Sequence, residues 1–99
     1  MTQTFIPYGR QNITDEDIDA VVATLRSDYL TQGPQVPAFE RELADMTGAA
    51  HAVAVNSATS ALHVACMALD LGAGEWLWTV PNTFVASANC ALYCGAQVD

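Results

Sequence analysis

The chain has 99 residues, of which 52% are hydrophobic, and its formal net charge is −8. This length suits one small domain with a modest core. Its three basic residues are scattered arginines, so it has no basic stripe for a nucleic-acid backbone and no polybasic membrane contact.

No part of the chain has the pattern of a targeting or membrane-spanning segment. The N-terminus lacks a basic region followed by an apolar stretch, and no apolar run reaches the ~18 residues of a membrane span. Cys66, Cys90 and Cys94 do not have the spacing of a secreted disulfide scaffold. We therefore predict reduced thiols and a cytoplasmic location.

The first half of the chain predicts an extended segment followed by two helices. Residues 5–12 contain proline and glycine breakers and are expected to be extended. Thr14 precedes three acidic residues and should cap a helix over residues 15–27. After the loop "DYLTQGPQ", apolar residues recur at helical steps over residues 36–46 and predict a second helix that stops at Gly48.

The second half alternates strands and helices. Short apolar runs predict strands at residues 51–55, 76–80 and 97–99, and helical spacing predicts helices at residues 59–71 and 84–94. The alternation predicts an α/β fold with a mainly parallel sheet and flanking helices.

Neither the charged residues of the second helix nor the cysteines are predicted to form a functional site. Glu40, Arg41 and Glu42 are predicted to form an exposed face of the second helix. Cys90 and Cys94 share a helix face, but the second cysteine pair that a zinc site commonly uses is missing. No metal site is expected.

The stretch "NSATS" lies between the first predicted strand and the next helix. Ligands of parallel sheets bind beyond the carboxyl ends of the strands, and the first N–H groups of a helix bind anions, phosphate above all. Ser57 and Ala58 are small enough for an anion to approach the backbone, and Thr59 can add a hydroxyl donor. The alternative is that Asn56 or Ser57 merely caps the helix. The stretch lacks the spacing of the common nucleotide-binding loops.

The end of the second predicted strand has a comparable arrangement. "VPNTF" places Phe84 at the same edge of the sheet as the first polar stretch. An aromatic side chain there could stack on a planar ring. The alternative is a core phenylalanine at the start of a helix.

The two stretches together resemble one family. "LTQGPQVPAFERELADMTGAAHAVAVNSATSALHVACMALDLGAG" followed by "VPNTFVASANCALYCGA" is similar to the amino-terminal part of the sugar aminotransferases of the DegT/DnrJ/EryC1/StrS family. The resemblance covers residues 6–98, and "IPYGRQ" and "LTQG" resemble the transaminases of the pseudaminic acid pathway. It implies the N-terminal part of the type I fold of enzymes dependent on pyridoxal 5'-phosphate (PLP).

The resemblance also implies an activity and a cofactor site. Members transfer an amino group, usually from glutamate, to a 4-keto nucleotide sugar, and they work as homodimers. Carried over by position, Ala58 and Thr59 would meet the cofactor phosphate, with Ser57 adjacent, and Phe84 would lie against the pyridine ring.

The resemblance further divides the chain and places the sugar nucleotide. Residues 1–34 would form an N-terminal helix and a substrate-side loop, and residues 35–99 would begin the large PLP-binding domain. The residues expected near the sugar nucleotide are Tyr8, Asp28, Tyr29, Leu30, Thr31 and Ala58.

One departure from the family pattern is large. In the family a lysine holds the cofactor covalently and acts as the general acid and base, whereas this chain contains no lysine. We therefore expect a fragment of a longer protein that is inactive alone. The alternatives are a keto-sugar dehydratase of the same family, in which histidine replaces the lysine, and a non-catalytic module.

Overall fold

The computed structural model describes residues 7–99, which form four helices and two short strands. In chain order they are α1 (Asp15–Leu25), α2 (Gln35–Thr47), α3 (Ala58–Ala68), β1 (Trp76–Leu77), α4 (Ala86–Tyr93) and β2 (Gln97–Val98). The first two residues of the predicted extended segment 5–12, Phe5 and Ile6, lie outside the described range.

Helix α1 begins where its sequence predicts, because Thr14 and Asp17 form a capping box. The Thr14 hydroxyl accepts a hydrogen bond from the Asp17 N–H at 3.3 Å, and the Asp17 carboxylate accepts one from the Thr14 N–H at 2.8 Å. The helix ends at Leu25, two residues before the predicted end. There the hydroxyl of Ser27 donates to the carbonyl of Thr24 at 2.7 Å and closes the last turn.

Helix α2 ends at the predicted glycine. Gly48 caps it in the left-handed conformation, with φ of 70°, and the N–H of Ala49 donates to the carbonyl of Ala44 at 3.1 Å. This left-handed ending favours glycine because other residues place a Cβ too close to the backbone there.

The sheet is parallel, as predicted. Trp76 lies opposite Gln97 and Leu77 opposite Val98, with α4 as the connection between the strands. The N–H of Gln97 donates to the carbonyl of Glu75 at 2.9 Å. Parallel strands need a crossover of this kind, since a tight hairpin would reverse the chain direction.

Within residues 7–99 the predicted strand at residues 51–55 does not form, so this prediction is wrong. The segment alternates between exposed and half-buried side chains, as a strand does, but it has no strand beside it. The N–H of Ala54 bonds to the Glu40 carboxylate instead, at 2.8 Å. A strand is defined by its hydrogen-bonded neighbour, so this segment stays an extended connection that we call the 51–55 segment.

The predicted helices of the second half are longer than the observed ones. α3 starts one residue before the predicted Thr59 and stops at Ala68, not Leu71. Asp70 has φ of 56°, so the chain leaves the helix before Gly72. α4 is also shorter than the predicted 84–94, because the chain becomes helical only after the turn that carries Phe84.

In the packed part of the molecule, α4 lies against α3 and against both strands. The buried side chains of this part are all small: Cys66, Ala86, Cys90, Ala91 and Ala96. The tryptophans at the start and just beyond the end of β1 are exposed, Trp76 by 56% and Trp78 by 81%.

Much of the apolar surface of the described residues is exposed to solvent. The radius of gyration is 18.6 Å, against about 13 Å for a compact domain of 100 residues. Most apolar residues of α1 and α2 are exposed, with Val21 at 59% and Phe39 at 56%. None of the helices described here has both the length and the apolar composition needed to cross a membrane.

Candidate functional site

The turn before α3 is built around a serine cap. Ser57 is the N-cap residue, with extended φ of −161° and ψ of 156°, and its Oγ accepts a hydrogen bond from the N–H of Ser60 at 3.2 Å. The Ser60 hydroxyl in turn donates to Oδ1 of Asn56 at 2.8 Å. The capping interpretation of Ser57 is therefore confirmed.

The cap leaves two backbone donors without a protein acceptor. In the first turn of α3, Ser57 satisfies the N–H of Ser60, whereas the N–H groups of Ala58 and Thr59 have no acceptor within residues 7–99. These groups carry the partial positive charge of the helix N-terminus. Capping and anion binding therefore use different donors and do not exclude each other.

The side chains around these donors fit a phosphate group. Ala58 is exposed, and its side chain is only a methyl group. Thr59, the next residue, is half-buried and carries a hydroxyl group. A tetrahedral anion can reach both N–H groups without displacing a large side chain. The residues present thus fit the phosphate of a cofactor such as PLP.

Phe84 lies in a second feature, an open pocket of about 380 Å³ beyond the end of β1. Phe84 is 73% exposed, so within the described residues it is not a core phenylalanine. Asp99, which follows β2, also lines the pocket, and the hydroxyls of Thr83 and Ser87 lie 3.0 Å apart at the adjacent turn. An exposed ring beside the carboxyl ends of parallel strands can stack on a planar ligand.

The two features are not joined in one pocket. Residues 57–59 do not line the pocket that contains Phe84. The structure therefore shows two N–H groups without a protein acceptor and an exposed aromatic ring at separate helix starts, and the assignment of these residues to one cofactor stays a prediction.

The predicted sugar-nucleotide residues are exposed. Tyr8 is fully exposed, and Tyr29 and Leu30 are each 64% exposed. In this loop Oγ of Ser27 lies 3.1 Å from the Tyr29 carbonyl oxygen, besides its shorter hydrogen bond to the Thr24 carbonyl. The backbone at Gly33 passes so close to Tyr29 that an added Cβ would lie 3.0 Å from the Tyr29 Cβ. Asp28 and Thr31 are also exposed, and none of these residues lines the Phe84 pocket.

The cysteines lie on the packed helices α3 and α4 or directly after them, and none of them lines the Phe84 pocket. Cys66 on α3 and Cys90 on α4 are buried, and Cys94 is half-buried. Burial, and then the neighbouring Cys90 thiol, raises the pKa of Cys66 to about 11. His63 contacts the Tyr93 ring at 5.2 Å between centroids. Within residues 7–99 no group of three or more His, Cys, Asp or Glu side chains is arranged to hold a metal ion.

Sequence reasoning missed the role of Glu40. Arg41 and Glu42 are exposed, as predicted, but Glu40 is half-buried and accepts the hydrogen bond from Ala54. The signal available was its helical spacing from Pro37, three residues before it, and Ala44, four residues after it, which places the three on one face of α2.

The model of the DegT/DnrJ/EryC1/StrS aminotransferase family matches residues 11–98. The chain is 46% identical over 92 residues to the spore coat polysaccharide biosynthesis protein SpsC of Bacillus subtilis, which covers 93% of this chain and 24% of that protein. It is also 46% identical over 94 residues to the UDP-4-amino-4,6-dideoxy-N-acetyl-beta-L-altrosamine transaminase of Campylobacter jejuni, covering 95% of this chain and 25% of that protein.

Solved structures give the same result at the level of the fold. A Streptococcus pneumoniae protein described as a sugar aminotransferase, Spr1654, matches with a TM-score of 0.87 and 35% identity, over 95% of this chain and 24% of that chain. It has been solved in a PLP form and a PMP form, PMP being pyridoxamine 5'-phosphate. The present chain thus spans about a quarter of the length of the relatives it matches.

Proposed function

Because the chain belongs to the DegT/DnrJ/EryC1/StrS aminotransferase family, we propose that the complete protein transfers an amino group from an amino acid to a 4-keto nucleotide sugar, with PLP as its cofactor. The observation that carries this proposal is the family match over nearly the whole chain. The fold, with its parallel strands and the free donors at the start of α3, supports it.

The residues of this chain would bind and orient the cofactor. The N–H groups of Ala58 and Thr59 would donate to its phosphate, and Ser57 would keep the helix start in place. Phe84 would lie against the pyridine ring. PLP, when bound, supplies the electron sink that amino-group transfer requires.

In the family a lysine attaches the cofactor covalently and acts as the general acid and base, and this chain has no lysine. Both roles would therefore be filled from elsewhere in the complete protein. We propose that the 99 residues alone are inactive.

The finer assignment concerns the sugar. A place in pseudaminic acid biosynthesis, with glutamate as the donor, is proposed from the resemblance of "IPYGRQ" and "LTQG". The chain is equally identical, at 46%, to the altrosamine transaminase and to SpsC. Tyr8 and residues 28–31 are proposed to approach the sugar nucleotide, and the division at residue 34 stays a prediction. The complete protein is proposed to be a cytoplasmic homodimer.

The phosphate site can be tested by removing one donor while keeping the helix start. Proline is tolerated at the first helical position, and the extended backbone of Ser57 suits a following proline. In the product of the complete reading frame, Ala58→Pro should weaken PMP binding about tenfold, as expected for one lost hydrogen bond to a charged group. Fluorescence titration would measure the dissociation constant.

A matched control exists at the start of α1. Asp15 is also the first helical residue after an extended cap, so Asp15→Pro makes the same change away from the site. It should leave PMP binding unchanged. Equal affinity in the Ala58→Pro variant and the parent protein would reject the phosphate site. If the purified protein, given PLP, glutamate and a 4-keto nucleotide sugar, forms no amino sugar but removes water from the sugar, the dehydratase alternative is correct.

A further inference from the structure

One side-chain hydrogen bond in the described residues links distant parts of the chain. Oε1 of Glu40 accepts from the N–H of Ala54 at 2.8 Å, across 14 positions, whereas the other side-chain hydrogen bonds of residues 7–99 join residues no more than four positions apart. This bond therefore fixes the position of α2 relative to the 51–55 segment.

The bond lies at the point where the chain approaches the anion site. Glu40 is half-buried, and Pro37, Ala44 and Ala52 line a shallow pocket with it, so α2 runs beside the 51–55 segment. Ala54 is three residues before Ser57, the residue that caps α3. Any rotation of the backbone at Ala54 moves the start of α3.

Within residues 7–99 the Ala54 N–H has no hydrogen-bond acceptor other than Glu40. The 51–55 segment has no strand neighbour within residues 7–99, and Ala54 is half-buried. A buried N–H without an acceptor costs free energy, and the segment would then shift to expose this group to water. The carboxylate of Glu40 therefore anchors the backbone three residues before the cap of α3.

We propose that Glu40 is a positioning residue for the phosphate-binding N–H groups of Ala58 and Thr59. The proposal rests on the proposed function, because it assigns Glu40 to the same site. Glu40 does not touch the phosphate in this assignment. It acts through the backbone of residues 54–57.

The test compares three variants of the complete gene product with two probes. PMP and pyridoxamine differ only by the phosphate. The dissociation constant of pyridoxamine divided by that of PMP therefore measures how much the phosphate contributes to binding. Glu40→Ala should lower this ratio about tenfold, because the shifted start of α3 would lose about one hydrogen bond to the charged phosphate. Glu40→Gln keeps an acceptor oxygen and should restore the ratio. Glu42→Ala, an exposed change on the same helix, should leave it at the parent value.

Other outcomes distinguish a failure of the proposed phosphate site from a failure of the positioning role of Glu40. If the parent protein does not bind PMP more tightly than pyridoxamine, the proposed phosphate site fails, and the role of Glu40 fails with it. If the parent shows the preference and Glu40→Ala retains it, the positioning role alone is wrong. If Glu40→Gln loses the preference as fully as Glu40→Ala, the hydrogen bond to Ala54 is not the cause. A change in thermal midpoint without a change in the ratio shows a merely structural role and overturns the proposal.

Discussion

At the scale of single residues, local chemistry decides where the helices begin. Thr14 and Ser57 each provide the first turn of a helix with a side-chain acceptor. Both were predictable from the sequence, because a short polar side chain before a helical pattern competes well for the free N–H groups. The contact between Glu40 and Ala54 was not predictable in this way, since it depends on how α2 lies against a distant segment.

The capping box of α1 predicts a pH dependence. Hydrogen bonds from the Thr14 N–H and hydroxyl hold the pKa of Asp17 below its ordinary value of 3.8. The stabilisation is present above that value and is lost as the pH falls through the lowered pKa of the folded state. Carboxyl-carbon NMR titration should therefore place the Asp17 midpoint below 3.8.

The matching variant is Thr14→Ala, which removes the hydroxyl but keeps the backbone donor. It should move the Asp17 midpoint part of the way back towards 3.8. An unchanged midpoint in this variant would show that the hydroxyl does not contribute to the lowered pKa.

At the scale of elements, periodicity identified every helix but misjudged one strand. The helices depend on contacts three and four residues apart, which the local sequence contains. The 51–55 segment has the alternation of a strand, but a ladder also needs a partner segment, and none lies beside it in residues 7–99. The ends of α3 and α4 were misplaced because Asp70 and the turn at Phe84 leave the helical conformation earlier than the apolar pattern does.

The packing of α3 on α4 predicts unequal thiol reactivity. Cys94 is half-buried, whereas Cys66 and Cys90 are buried. The raised pKa of Cys66, about 11, also keeps its thiol protonated in weakly alkaline buffer, and the thiolate is the reactive form. In the complete gene product at about pH 8, a disulfide reagent should therefore modify Cys94 well before Cys66 and Cys90.

Mass spectrometry of peptides after timed labelling would measure the three rates. Guanidinium should make the three thiols react alike, which serves as the control. Equal rates in the folded protein would contradict the packing of α3 on α4 described above.

At the scale of the whole molecule, the packed part consists of α3, α4 and the two strands, and α1 and α2 lie outside it. The buried side chains are small, and large apolar residues such as Val21 and Met46 are exposed. The fold class was predictable because strands and helices alternate along the chain. The sequence predicted that "NSATS" and Phe84 lie at one edge of the sheet, but it could not predict that residues 57–59 would not line the Phe84 pocket, since this depends on how separate helix starts are arranged in space.

This distribution of apolar surface predicts how the isolated chain behaves. A purified 99-residue chain should show no sharp cooperative melt, because few large apolar side chains are buried. It should also bind a dye that fluoresces on apolar surfaces. Calorimetry and dye titration are the measurements, and a single sharp calorimetric transition would contradict the prediction.

The two exposed tryptophans have a consequence for following assembly. Trp76 and Trp78 are the only tryptophans in the chain, and both lie at the strand β1, where they face solvent. Indole emission moves to shorter wavelength when water leaves its surroundings. Any polypeptide that covers this side of the sheet would therefore produce a blue shift, so the chain carries an intrinsic optical reporter of whether its sheet has been enclosed.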